Sequence, residues 1–170
     1  GGNDVILGQE GEDTLSGEAG NDLIEGGKGR DTLTGGSGSD TFLYDQDIYY
    51  SDSDVITDFA AGNGGDIVDL TELHTWSLTS AGDSWSGSEF AYTHRYITFD
   101  QNGADTIVNY DRDGLNGDHG STKIATLTNV DSSTILPGIN SNPELSSKLF
   151  LLESSKLSAG LSEDSAAELI

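Results

Sequence analysis

Apolar residues recur every ninth position at the start of the chain, at Ile6, Leu15, Ile24, Leu33 and Phe42, each two residues after an aspartate. The units read GGNDVIL (lacking its first two positions), GQEGEDTLS, GEAGNDLIE, GGKGRDTLT and GGSGSDTFL, and they fill residues 1–43. A nine-residue period is too short for a helix and its turn. It suits a tight turn of about six residues followed by a short strand whose central residue points inward. Two units then make one coil, so residues 18 apart stack on the same face. That register predicts Asp4, Asp22 and Asp40 along one edge and Asp13 and Asp31 along the other. It also sets Glu10 beside Lys28, Glu12 beside Arg30 and Asn3 beside Asn21 on neighbouring rungs.

The pattern changes over residues 44–136, where glycine thins and aromatic residues such as Tyr44, Trp76, Trp85, Phe90 and Phe99 appear. Short β-prone runs recur at Asp54–Phe59, Asp66–Leu70, Tyr96–Phe99, Asp105–Tyr110 and Lys123–Val130, separated by Gly/Asn/Asp/Ser turns. A coil open at one end exposes unpaired backbone and apolar side chains, so this region is expected to be a β-rich cap. Two stretches in it, AGNGGDIVD (61–69) and QNGADTIV (101–108), are degenerate repeats. They either carry calcium in irregular sites or are ordinary turn-plus-strand pieces. Residues 137–170 change again: Pro137-Gly138 breaks the sheet pattern, and Asn142-Pro143-Glu144 reads as a helix start. The expected fold is all-β, a parallel β-roll (1–43) followed by a β-rich capping region (44–136) and a short helical or disordered tail (137–170).

The repeats also carry the chemistry. Twelve of the 23 glycines lie in residues 1–43, mostly at unit positions one, two and four. Glycine there lets backbone carbonyls converge without a Cβ in the way. Calcium takes roughly six to eight oxygen ligands, which carbonyls and carboxylates supply together. Carboxylates stacked at strand spacing, ~4.8 Å, repel unless a cation lies between them. The expected calcium ligands are therefore the carboxylates of Asp4, Asp13, Asp22, Asp31 and Asp40. Carbonyls of the first unit position (Gly8, Gly17, Gly26, Gly35) and the third (Glu10, Ala19, Lys28, Ser37) complete the shell. Several ions are implied, with complete rungs at 4/22, 22/40 and 13/31. With one inward residue per nine, the metal-free stretch cannot offset its chain entropy, so folding and calcium binding become one event.

Net charge is −23, from 30 acidic and 7 basic residues, which excludes nucleic acid as a natural partner. No apolar run is long enough for membrane insertion, and no N-terminal signal peptide is seen. There is no cysteine; an extracellular domain often uses disulfides, but calcium can replace them as the staple. The chain does not open on methionine and its first repeat is partial, which reads as a piece of something longer. A monomer is expected.

Nonapeptides of this form with bound calcium are the signature of RTX proteins. Residues 1 to about 136 resemble the C-terminal region of bacterial RTX proteins, particularly large secreted adhesins with a type I secretion target domain. The stretches that carry the resemblance are the repeats, GGSGSDTFLYD, SDVITDFAAGNGGDIVDLTEL, and DTIVNYDRDG with its following KIATLTNV. The resemblance implies export C-terminus first and unfolded, without a cleaved leader, then folding in external calcium outside the cell or on its surface. The tail, ending Glu168-Leu169-Ile170, would engage the type I secretion apparatus as an uncleaved signal, or else is a linker. The runner-up is the same module at the end of a secreted RTX protease or lipase.

Other constellations are weaker. Asp66 belongs to a degenerate repeat and is a further calcium candidate. DRDGLNGDHG (111–120) clusters Asp111 and Asp113 with Asn116 and Asp118, but its spacing is not that of an EF-hand; a polar hairpin turn is the alternative. His74, His94 and His119 are scattered, and DSWSG (83–87) is not a nucleophile elbow, so the segment is expected to be non-catalytic. The stacking register makes a direct prediction: Asp22→Ala weakens the calcium response, read by circular dichroism, more than Asp118→Ala does. Equal effects would count against the register.

Overall fold

The computed structural model describes residues 1–44, 53–70, 97–111 and 120–135. The expected tail (137–170), the three histidines, DSWSG, Asp113 and most of the 111–120 loop lie outside the described residues.

Each repeat yields one three-residue strand: β1 (Val5–Leu7), β2 (Thr14–Ser16), β3 (Leu23–Glu25), β4 (Thr32–Thr34) and β5 (Thr41–Leu43). Odd and even strands separate into two parallel sheets. Val5 pairs with Leu23 and Ile6 with Ile24 in one; Thr14 pairs with Thr32 and Leu15 with Leu33 in the other. Both offsets are 18 residues, the coil length that the repeat implies. The architecture is a parallel β-roll.

The sheets continue past residue 43. β6 (Asp54–Ile56) pairs with β4 through Thr32↔Val55, and β7 (Ile67–Asp69) pairs with β5 through Thr41↔Ile67. These offsets, 23 and 26 residues, show that the turns have been lengthened while the strand-on-strand stacking is kept. AGNGGDIVD is therefore a rung of the roll. QNGADTIV is not. It forms the antiparallel hairpin of β8 (Ile97–Asn102) and β9 (Asp105–Tyr110), with Asn102 opposite Asp105 and Gly103 at φ +66° in the tight turn. β10 (Thr122–Leu127) lies antiparallel to β9 and parallel to β6, so the hairpin extends one sheet of the roll. The order is β1-β3-β5-β7 in one sheet and β2-β4-β6-β10-β9-β8 in the other. A single 3-10 turn at Ser132–Thr134 follows β10, with Asp131 capping it.

The core runs between the sheets. Ile24, Phe42 and Val68 from one face and Leu33 and Ile56 from the other are fully or almost fully buried. In the first rung Ile6 and Leu15 are only partly covered, and Val5 and Leu7 are exposed. Toward the cap the core thickens with Phe59, Leu70, Ile97, Val108, Ile124, Leu127, Val130 and Ile135. Phe42 is the hinge between the two regions, its ring centroid 6.3 Å from that of Phe59. Close stacking also dictates glycine at the fourth unit position. Gly29 and Gly38 have φ of +134° and +144°, and a Cβ on either would run into the carbonyl oxygen of Gly11 or Gly20 one coil below.

Phe42→Ala is expected to cost about 3–5 kcal/mol of stability in saturating calcium, measured by denaturant unfolding. A loss under about 1 kcal/mol would mean that the roll and the cap do not share this core.

Candidate metal centre

The turns place the aspartates of successive rungs directly over one another, and the backbone binds them there. On one edge the N–H of Asp4 donates to Asp22 Oδ1 at 2.8 Å, Asp22 N–H to Asp40 Oδ1 at 2.9 Å, and Asp40 N–H to Asp66 Oδ1 at 2.9 Å. On the other edge Asp13 N–H donates to Asp31 Oδ1 at 2.8 Å and Asp31 N–H to Asp54 Oδ1 at 2.9 Å. Asp22, Asp31, Asp40, Asp54 and Asp66 thus each spend one oxygen on the rung before. Oδ2 of Asp13, Asp22, Asp31 and Asp40 is buried and makes no hydrogen bond. A buried, unpartnered carboxylate oxygen is costly, several kcal/mol for a charged group. Four of them in one small roll point to a cation.

The donors that such a cation needs come together beside the first unit position. At Gly17, the space a Cβ would fill is bordered by Asp22 Oδ2 and the carbonyl oxygen of Gly35. At Gly8 it is bordered by the carbonyl oxygen of Gly26 and by Asp13 Oδ2. Carboxylate and carbonyl oxygens from two successive turns therefore converge over a glycine, which is the donor set calcium selects. Three of the third-position carbonyls also join the backbone ladder, each with one lone pair, which leaves the second for a metal. Those of Ala19, Lys28 and Ser37 accept the N–H of Gly2, Gly11 and Gly20 at 2.6, 2.8 and 3.0 Å, as rungs of the backbone ladder. Glu10 and Lys28 form a parallel bridge, and their side chains pair in solvent at 3.5 Å; Arg30 pairs with Glu12 at 3.1 Å. Asn3 Oδ1 accepts the Asn21 N–H at 2.8 Å. These exposed pairs follow the coil register and add little stability.

No three His, Cys, Asp or Glu side chains converge on one point among the described residues. A centre of this kind draws on backbone carbonyls as much as on side chains, so its signal in the sequence is the glycine spacing rather than a cluster of acids. Asp66 stands at the end of one edge with both oxygens hydrogen-bonded, to Asp40 N–H and Ala60 N–H. Asp111 lies at the end of β9, away from the stacked turns in the sheet order.

Two residues of this region were not singled out by sequence reasoning as site residues. Asp54 is buried and caps the Asp13/Asp31 edge. Asp58 accepts the N–H groups of Gly35 and Gly36 at 2.9 and 2.8 Å. Asp54-Val55-Ile56 repeats the aspartate-x-apolar triplet of the nonapeptides, and that triplet was the available signal for Asp54. Asp54 also stands beside the buried Tyr44 hydroxyl without hydrogen-bond geometry; burial first, then that negative charge, pushes the Tyr44 pKa well up.

Residues 1–24 and 16–48 each match the family described as the RTX calcium-binding nonapeptide repeat, whose pattern spans four copies of the repeat. This stretch consists of RTX calcium-binding repeats. Among solved structures, the chain is similar to the solution structure of the AlgE6R3 subunit from the Azotobacter vinelandii mannuronan C5-epimerase. The identity is 28% and the TM-score 0.54, over 82% of this chain and 72% of that one. Comparison with curated proteins returns no match. The RTX repeats thus coincide with the rungs whose Oδ2 atoms are unpartnered, and the second half of the last matched segment ends where the turns begin to lengthen.

Burial raises the pKa of Asp40, with the charges of Asp22 and Asp58 adding to it and the Asp22 N–H opposing. Burial likewise raises Asp66, against hydrogen bonds from Ala60 and Asp40. A carboxyl whose pKa is raised by folding contributes stability below its unfolded value and loses it as pH rises through the folded one. In chelator, therefore, acidification from neutral pH to about 4 should increase β-structure, and neutralisation should remove it, as read by far-UV circular dichroism. Calcium needs the ionised carboxylates, so its half-saturation should move to higher concentration in the same acid range. A chelated chain that loses structure on acidification would contradict both assignments.

Proposed function

We propose that the chain is the calcium-loaded C-terminal module of a large secreted or surface-attached bacterial adhesin, unfolded during type I secretion and folded by extracellular calcium. The observation that carries the reading is the set of four buried aspartate oxygens without partners, which makes the roll depend on a cation. Extracellular calcium modules have dissociation constants of about 10⁻⁴–10⁻³ M, far above the free calcium of a cytosol. Inside the cell the repulsive ladder stays open and the chain can be threaded; outside, the coils close and cannot slide back. Several coupled sites make that transition steep. The dense negative charge works in the same direction, expanding the metal-free chain.

The adhesin context is supported by the resemblance of the SDVITDF and AGNGGDIVD stretches, which the fold uses as β6, β7 and their connecting turn. A second reading is favoured by the similarity to an epimerase repeat subunit: the module accompanies an exported enzyme and stabilises it, without being catalytic itself. The two part on the polypeptide attached upstream. Tandem immunoglobulin-like repeats indicate an adhesin, and a catalytic domain indicates an enzyme.

The test is a calcium titration of the chain followed by far-UV circular dichroism, with magnesium as control. A cooperative gain of β-signal is expected between roughly 10⁻⁴ and 10⁻³ M calcium and none at equal magnesium. Full β-signal already present in chelator at neutral pH would sink the folding switch.

A further inference from the structure

The edge that carries Asp4, Asp22 and Asp40 ends differently from how it repeats. In a repeating rung, Oδ1 accepts the N–H of the aspartate one coil earlier and Oδ2 is left buried and unpartnered. Asp66 keeps the first contact, with Asp40 N–H at 2.9 Å, but its second oxygen accepts the N–H of Ala60 at 2.7 Å. Ala60 belongs to the same turn as Asp66. That turn has room to fold back because the offset from Asp40 to Asp66 is 26 residues, where the repeat has 18. Asp58, on the same turn, has one oxygen on the Gly35 N–H and the other on the Gly36 N–H. Both carboxylates beyond Asp40 on this edge are therefore satisfied on both oxygens by backbone donors, while Asp22 and Asp40 each keep one buried oxygen with none.

We infer that Asp58 and Asp66 are not calcium ligands but the hydrogen-bonded ends of the ladder, and that the last ion on this edge is held by Asp40. The inference rests on the calcium reading above and says where that reading stops. An amide N–H brings partial positive charge to Asp66 Oδ2, the oxygen whose counterparts in the repeating rungs await a cation. An ion at Asp66 would have to displace that bond or share the oxygen with it. Asp40, Asp58 and Asp66 do not gather into a three-carboxylate metal cluster. The widened turn from Asp58 to Asp66 is thus a stop: it replaces the ion by two amide donors and lets the roll end against the cap without a further metal.

The test is calcium stoichiometry of the whole chain at saturating calcium, by native mass spectrometry, for the parent, Asp22→Asn, Asp40→Asn, Asp58→Asn and Asp66→Asn. Asp22→Asn and Asp40→Asn should each bind at least one ion fewer. Asp58→Asn and Asp66→Asn should bind as many as the parent, with half-saturation raised several-fold because the fold they cap is weaker. One ion fewer in Asp58→Asn or Asp66→Asn overturns the inference; a parent chain that binds no calcium sinks the functional reading instead. Should either variant fail to fold, anomalous scattering from calcium-loaded crystals of the parent decides it. Ions at Asp22 and Asp40 with none within about 2.6 Å of an Asp58 or Asp66 oxygen support the inference, and an ion within that distance of either overturns it.

Discussion

A parallel coil stacks like on like, and in this chain what it stacks is carboxylate on carboxylate at strand spacing. The backbone tolerates this by taking one oxygen of Asp22, Asp31 and Asp40 into an N–H contact with the rung before, which fixes the side chain and turns its second oxygen inward. Four aspartate oxygens end up buried without a donor. If each costs even a few kcal/mol, their sum is comparable with the whole net stability of a small domain, about 5–15 kcal/mol. A divalent cation removes the penalty and the repulsion together. The stacking geometry that makes the chain a solenoid is thus the same geometry that leaves its calcium-binding repeats with buried oxygens for a cation to satisfy.

The hydrophobic part of the structure is unevenly distributed, and that explains the division of labour. Each repeat buries one side chain, and in the first rung even that is incomplete, with Ile6 and Leu15 only partly covered. Such a thin core cannot hold the coil alone. The cap is different: β8, β9 and β10 are six residues long, β9 alternates inward and outward positions, and the three strands add Ile97, Val108, Tyr110, Ile124 and Leu127 to the core. The two halves are joined by pairing of β6 with β10 and by the contact of Phe42 with Phe59. Apolar packing thus thickens toward one end, while the unpartnered carboxylate oxygens lie in the repeats at the other.

The lengthened turns mark the passage between these regimes. Offsets grow from 18 to 23 and 26 residues while strand pairing is preserved, so the added residues lie between the paired strands. Those turns bring in side chains that do what backbone or metal does in the repeats. Asp58 stands in for a carbonyl acceptor of the next rung, and the Ala60 N–H stands where a repeating rung leaves an oxygen bare. The end of the solenoid is built from the same parts as its body, with the ion replaced by amide donors.

The period of nine was enough to determine the coil, its register and the two edges of aspartates. In a solenoid every rung contacts only its neighbours, so local spacing is also tertiary spacing. The pairs Glu10–Lys28, Glu12–Arg30 and Asn3–Asn21 were legible for that reason. Once turn lengths vary, the rule fails. QNGADTIV carries the same aspartate-x-isoleucine triplet as a repeat, yet it becomes a hairpin because Ile97–Asn102 offers an antiparallel partner across a tight glycine turn. Asp54 and Asp58 lack the glycines that flag a repeat, and they join the ladder only because β6 stacks on β4. Which oxygen of each aspartate faces an N–H and which faces nothing is likewise a matter of how one turn lies over the next. Sequence spacing determines which residues meet when every step is alike, and the three-dimensional stacking decides what they share once the steps differ.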